Sequence, residues 1–383
     1  MTADVFFMDL KATSKENLPQ KLSRLVKTAG IKDILKKNDL TSVKIHFGEK
    51  GNTAYIRPVF IRQVIETIKE YSAIPFLTDA NTLYAGTRSN SVSHIHTAIE
   101  NGFSYSSMNA TPIIIADGLR GKNKTTVKIN QKNCKQVFIG SEIIDSDALV
   151  SIAHFKGHEL SGFGGTLKNI GMGCASRKGK LDMHSRVSPR IRRKTCIGCA
   201  ECEKHCPAAA IELKPAAAKE IKNNKAYLDP KKCIGCAECI VRCPTDSVKI
   251  NWNQTVPVFL EKMMEYTLGV LKNKKGKAFF INFITDIAPK CDCLPYNEAP
   301  IVNNIGILAS TDPVAIDQAS ADLVNAQKAL PDTVLKTNLN PGEDKFKGLY
   351  PDVDWEHQLD YAQKLGLGTR EYQLVKLETL SYG

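Results

Sequence analysis

Eight of the twelve cysteines in this 383-residue chain fall into two copies of one spacing. The first copy is Cys196, Cys199, Cys202 and Cys206, followed by Pro207; the second is Cys233, Cys236, Cys239 and Cys243, followed by Pro244. Three thiolates at three-residue intervals can wrap one face of a cube of iron and sulfide. Gly198 and Gly235 let the backbone come close and aim amide hydrogens at the sulfurs. Two tandem C-x2-C-x2-C-x3-C-P runs therefore predict two 4Fe–4S clusters. Zinc also takes C-x2-C pairs, but a zinc site is complete at four ligands and rarely uses two tandem runs, each ending in Cys-Pro. So many cysteines in a chain with no sign of export argue for metal rather than disulfides.

A second group of residues could do chemistry without metal. His154, Lys156 and His158 alternate just after an apolar run and are candidates for proton transfer or anion binding. Lys156 between the two histidines argues against a cationic metal there. Lys44 and His46 lie on one face of a strictly alternating stretch. The stretch Gly162 to Gly173 is rich in glycine and carries Gly164, Gly165, Lys168 and Asn169. Glycines permit close approach of backbone N–H groups to an anion, so these residues, with Lys44 and His46, are the candidate binders of a cofactor or substrate. The stretch does not fit the dinucleotide-binding G-x-G-x-x-G; a flavin phosphate, a nucleotide or a carboxylated substrate would suit it, and a tight structural loop is the plain alternative. Cys134, Cys174, Cys291 and Cys293 remain. Cys291-Asp-Cys293 is too close for an ordinary disulfide; a metal ligand set with Cys174 or a redox thiol is open, and a pocket wall or loop is preferred.

The elements that must position these residues alternate. Strands are expected at Val5–Met8, Val43–Phe47, Ile74–Thr78, Pro112–Ala116, Ala148–Ala153, Ala278–Phe283 and Ile305–Ala309. Helices are expected at Leu18–Thr28, Arg57–Tyr71, Ser93–Asn101, Val258–Leu271 and Pro313–Asn325. This alternation predicts an α/β fold with a mainly parallel sheet. Neither flank of the cysteine segment reads as complete, so the expected organisation is one α/β core from residues 1–187 and 253–383, with a small α+β module inserted at 188–252. In open α/β sheets ligands bind beyond the carboxyl ends of the strands. Four loops are expected to meet at such a rim: Gly48–Asn52, Asp79 to Tyr84, His154 to Gly165, and Thr311 with Asp312. Asp312 beside Pro313 is equally an N-cap.

Composition bounds the partners. Hydrophobic residues are 43% and charged residues 24%, which excludes a disordered chain or a fibre. No apolar run reaches the ~18 residues of a membrane span, and the N-terminus lacks a basic signal region, so a cytoplasmic protein without membrane contact is expected. The net charge of +12 favours anionic partners. A small anionic ligand and an acidic redox partner, the latter docking on the basic run Arg186 to Lys194, fit this. Nucleic acid fits less well, because no helix-turn-helix or aromatic-studded basic stretch occurs. Nothing in the sequence sets an oligomeric state.

Two resemblances extend this reading. The cysteine segment resembles two-cluster bacterial ferredoxins. That resemblance implies crossed ligation: Cys196, Cys199, Cys202 and Cys243 on one cluster, and Cys233, Cys236, Cys239 and Cys206 on the other. The chain around it resembles the family catalogued as domain of unknown function 362. The segments that carry this are Lys44–Asn52, Thr78–Tyr84, Asp117–Gly121, His154–His158 through Asn169–Cys174, and Ser310–Asp317. The resemblance implies an iron–sulfur protein with an α/β core and supplies no reaction. The function expected is an oxidoreductase in which the clusters pass electrons to a cofactor or anionic substrate in the core pocket. A flavin would join one-electron clusters to two-electron chemistry. The alternative is an electron-transfer or ligand-binding module without turnover.

Overall fold

The computed structural model describes residues 2–185, 188–215, 224–250 and 255–380. Seven strands make the central sheet: β1 (Ala3–Asp9), β2 (Leu40–Lys44), β3 (Ile74–Thr78), β4 (Ala148–His154), β5 (Ala278–Ile284), β6 (Gly306–Ser310) and β7 (Tyr372–Lys376). Their spatial order is β7-β1-β6-β5-β4-β2-β3. β3, β2, β4 and β5 are parallel neighbours, and β7 is parallel to β1. β6 alone runs antiparallel, to both β5 and β1. The sheet is thus mainly parallel and is assembled from both flanks of the cysteine segment, as expected.

The central strands are apolar on both faces, and alternate residues feed two separate cores. Val150, Ile152, Ile281 and Phe283 face α1 (Leu18–Thr28) and α2 (Pro58–Glu70). Leu149, Phe280, Ile284 and Leu308 face α3 (Thr166–Gly171), α4 (Val256–Lys272) and α5 (Pro313–Asn325). α1 starts in a capping box, with Asn17 and Gln20 each bonded to the other's backbone N–H. Helices thus cover both faces, the arrangement that lets a parallel sheet bury its strands.

Three expectations are corrected. β2 ends at Lys44 rather than Phe47, although the Ile45 N–H still reaches the Thr78 carbonyl at 3.1 Å. Pro112–Ala116 makes only an isolated bridge, Ile113 to Leu77, at the β3 edge. β6 runs opposite to its neighbours, so Thr311 and Asp312 leave the sheet at the other rim. There Asp312 is an N-cap, accepting from Val314 N and Ala315 N at 2.9 Å each.

The inserted segment has two antiparallel ribbons, Arg190–Ile191 with Val248–Lys249 and Ile211–Lys214 with Lys225–Leu228. Each cysteine run turns into a short helix, Glu201–Lys204 or Glu238–Arg242. Its apolar interior is shared with the core through Leu83 and Leu181. The expected linker start, Arg186 and Val187, and the boundary at Trp252 lie outside the described residues. Among the described residues, no helix is long and apolar enough to cross a membrane.

Candidate functional site

A cavity of about 530 Å³ opens beyond the carboxyl ends of β2, β3 and β4. Lys44, His46, His154, Lys156, His158, Gly164, Gly165, Lys168 and Asn169 all line it. Three of the four expected loops therefore converge; the fourth, with Thr311 and Asp312, does not. Arg88, not foreseen, joins them with Lys180 and with Cys291 and Cys293, for which a pocket wall or loop is the preferred reading, while Asp292, also not foreseen, lies just behind the wall.

Most of the charge in this cavity is already paired. Lys44 Nζ sits 3.0 Å from Asp79 and donates to Asn169 Oδ1 at 2.8 Å. The Asn169 amide donates in turn to Ser151 Oγ and the Ile152 carbonyl, so it ties α3 to β4. Burial opposes ionisation of Asp79, but Lys44 and His94 outweigh it and hold the carboxyl well below its usual range. Arg88 bridges Asp79 and Glu49.

Asp292 organises the histidine–lysine group. His154 Nδ1 is 2.9 Å from Asp292, and its Nε2 faces the Thr285 carbonyl at 2.8 Å. Both ring nitrogens therefore face acceptors, an arrangement fully satisfied by a ring that donates twice. Lys156 Nζ is 3.1 Å from the same carboxylate. Burial would raise the Asp292 pKa, yet His154 and Lys156 hold it far below the usual range.

His46 and His158 behave differently. Each Nδ1 accepts a backbone N–H, from Gly48 at 3.0 Å and Leu160 at 3.2 Å respectively. Burial, then Arg88 for His46 and Lys168 for His158, pushes both pKa values well below the ordinary one. Both rings are neutral with the proton on Nε2, so they can donate toward a ligand.

The glycine stretch is a packing device. Asp317 caps α3, accepting from Thr166 N at 2.7 Å and Leu167 N at 2.9 Å. A Cβ on Gly165 would fall 2.3 Å from Asp317 Oδ1, and one on Gly164 would fall 3.0 Å from Lys168 Cδ. The amides that an anion would use are therefore occupied by a side chain of the protein itself.

Lys168 points at sulfur instead. Its Nζ is 3.5 Å from Cys291 Sγ, and the Cys293 N–H is 3.4 Å from the same atom. A hydrogen bond from the Cys293 thiol outweighs burial and, with Lys168, holds the Cys291 pKa well below its ordinary value. The Cys293 thiol is correspondingly raised. Neither cysteine carries a sequence signature that separates this arrangement from an ordinary loop.

The eight cysteines of the two runs surround two small cavities. One is lined by Cys196, Cys199, Cys202 and Cys243, the other by Cys206, Cys233, Cys236 and Cys239. Backbone N–H groups point at the fourth sulfur of each run, Ala210 to Cys206 at 3.2 Å and Ser247 to Cys243 at 3.1 Å. Gly198 and Gly235 adopt φ of +73° and +70°. Among the described residues, no three His, Cys, Asp or Glu side chains gather closely enough for one metal ion. The second run docks on the core: Glu238, between Cys236 and Cys239, meets buried Arg177 at 3.0 Å. Ile250 and Leu83 belong both to the apolar interior around the cysteines and to the wall of the large cavity.

A family model described as domain of unknown function (DUF362) matches residues 42–322. Among solved structures, the chain is similar to the lactate racemase apoprotein from Thermoanaerobacterium thermosaccharolyticum. The identity is 13% over 73% of this chain and 51% of that one, with a TM-score of 0.37. It is also similar to a structural-genomics protein from Thermotoga maritima, at 10% identity over 90% of this chain and 58% of that one, with a TM-score of 0.39. The chain spans about half the length of the first of these. No curated protein matches the sequence.

Proposed function

We propose, from the premise that this chain belongs to the DUF362 family, whose description assigns no reaction, that it is an iron–sulfur redox protein serving its own core pocket. The observation that carries this is the pair of cavities, each lined by three cysteines of one run and the last cysteine of the other. The crossed sets match the ligation that the resemblance to two-cluster ferredoxins implies. A single tetrahedral zinc would bring four sulfurs within about 4 Å of one another, whereas a cubane spreads them around a larger body. The N–H groups aimed at Cys206 and Cys243 fit anionic sulfur, which they stabilise by charge-assisted hydrogen bonds. When bound, such clusters supply one-electron transfer.

The chain's own residues then have distinct tasks. Leu83 and Ile250 form the dry wall between the cysteines and the large cavity. Lys168, His46 and His158 present N–H donors to a compact anionic group. The start of α3 offers a flavin phosphate no cradle, because Asp317 fills it. Arg190, Arg192, Arg193 and Lys194 are exposed beside Cys196, a surface suited to an acidic redox partner.

Anaerobic purification with iron, sulfide and flavin quantified tests this reading. Near-stoichiometric iron and sulfide for two cubanes, with paramagnetic signals after reduction, is the expected result. Zinc in place of iron and sulfide would defeat it.

A further inference from the structure

The large cavity holds a feature the reading above does not use, a dithiol set on a turn. Cys291 and Cys293 flank Asp292, and the Leu294 N–H closes the turn on the Cys291 carbonyl at 3.1 Å. Cys291 is 3% exposed to solvent yet lines the cavity, so its access is from inside. Its sulfur has an ammonium on one side, Lys168 at 3.5 Å, and the Cys293 N–H on the other at 3.4 Å. Lys156 adds positive charge nearby, and this environment favours a thiolate. Cys293, whose own thiol keeps its proton, is two residues away.

We propose that Cys291 and Cys293 form a thiol–disulfide exchange site for a small disulfide that enters this cavity. Cys291 thiolate attacks one sulfur of the substrate, forming a mixed disulfide and releasing one substrate thiolate. Cys293 then loses its proton and attacks Cys291 Sγ, which releases the second half of the substrate. The two released thiolates take up one proton from Cys293 and one from water. The substrate disulfide has gained two electrons, and the protein carries a Cys291–Cys293 bridge in their place. A bridge across two residues is strained and hence readily reduced, the property a turnover centre needs and a structural disulfide avoids. Return of two electrons to that bridge, one at a time, rests on the iron–sulfur reading; the exchange itself does not.

The geometry assigns roles that differ from those of a buried structural pair. Cys291 is the attacking group because Lys168 and the Cys293 N–H stabilise its anion. Cys293 resolves, since its raised pKa keeps it protonated until Cys291 is consumed. Lys168 is a positioning residue that acts through Cys291. Neutral His46 and His158 donate from Nε2 into the same space and would orient a polar or carboxylated substrate arm.

The experiment uses the full chain, purified anaerobically, with 5,5′-dithiobis(2-nitrobenzoate) as the disulfide probe and peptide mapping by mass spectrometry. Wild type should show a fast phase releasing two equivalents of thionitrobenzoate, with the peptide spanning both cysteines lighter by two hydrogens. Cys293→Ser should stop at one equivalent, with the adduct on Cys291. Cys291→Ser should abolish the fast phase. Lys168→Ala should slow it about tenfold at pH 6.5 and recover toward wild type in alkali, since each unit of thiol pKa is a factor of ten in thiolate. A Lys168 with a merely structural role would slow the reaction equally at every pH. A fast phase that survives Cys291→Ser, or a wild-type peptide without the bridge, overturns the proposal. Iron and sulfide measured on the same samples report separately on the cluster reading, so failure of one is told apart from failure of the other.

Discussion

Asp292→Asn removes one negative charge and almost no volume. The carboxylate is 1% exposed and is shared by His154 at 2.9 Å and Lys156 at 3.1 Å. Without it, the Lys156 ammonium and the His154 ring lose their shared partner in a buried wall. Breaking such a buried pair costs about 3–5 kcal/mol, because the surviving charge keeps its desolvation penalty and loses its partner. For 383 residues at about 2.1 cal/mol/K each, the unfolding entropy is roughly 0.8 kcal/mol/K, so the loss converts to about 4–6 °C in Tm. The sign with pH also follows. A carboxyl whose folded pKa is depressed contributes stability above its unfolded value near 4 and loses it only as pH falls through the folded value. The gap between wild type and variant should thus persist from pH 8 to about 5 and close only in strong acid. Lys156→Met added to Asp292→Asn should restore part of the loss, since it removes the orphaned ammonium. Anaerobic calorimetry measures all three proteins. A single variant melting within about 1 °C of wild type, or a Met substitution that only adds further loss, would refute the reasoning.

Other outcomes follow from neighbouring features. Cys206→Ala should damage chiefly the cluster of Cys233, Cys236 and Cys239, and spectroscopic loss confined to the Cys196 set would reject the crossed arrangement. Asp117 is buried with one carboxylate oxygen unbonded, and burial raises its pKa to about 6. Its native form holds a proton that the unfolded chain releases near pH 4, so wild-type stability should fall as pH rises from 4 to 6. Asp117→Asn should flatten that descent, worth roughly 3 kcal/mol, in pH-dependent urea melts. Gly165→Ala should cost about 2–4 kcal/mol, combining the lost cap of α3 with overpacking against Asp317, and denaturation midpoints will show it. Replacing Pro189 to Trp252 by a flexible linker should leave a soluble core that gains stability when Arg177 is changed to Met, because excision strips Arg177 of Glu238.

The cysteine spacing and the central strands were legible because both are written locally. A three-residue interval fixes which thiols can face one body, and the short, largely apolar runs at Ala148–Ala153 and Ala278–Phe283 are typical of strands buried on both faces. The direction of β6 was not legible, since an apolar strand reads the same in either sense. Its reversal moved Asp312 away from the site. Asp292 was passed over because its partner His154 lies 138 positions earlier, and nothing local marks a carboxylate between two cysteines as a counterion. The glycine stretch misled for a related reason. Gly165 is small to admit the Asp317 carboxylate from α5, and a sequence shows the vacancy without showing its occupant.

The placement of β1 at the far side of β6 has a consequence for synthesis. Residues 3–9 leave the ribosome long before their sheet partners, residues 306–310 and 372–376. At about 5–20 residues per second, the first strand waits on the order of tens of seconds for either neighbour. The ribbons of the cysteine segment pair within that segment, so they can close while the sheet is still open. Closure of the cysteine segment and completion of the sheet are then separate events in time. During the interval, the waiting strand exposes unpaired backbone on both edges, the condition under which a chain recruits chaperones or joins another copy of itself.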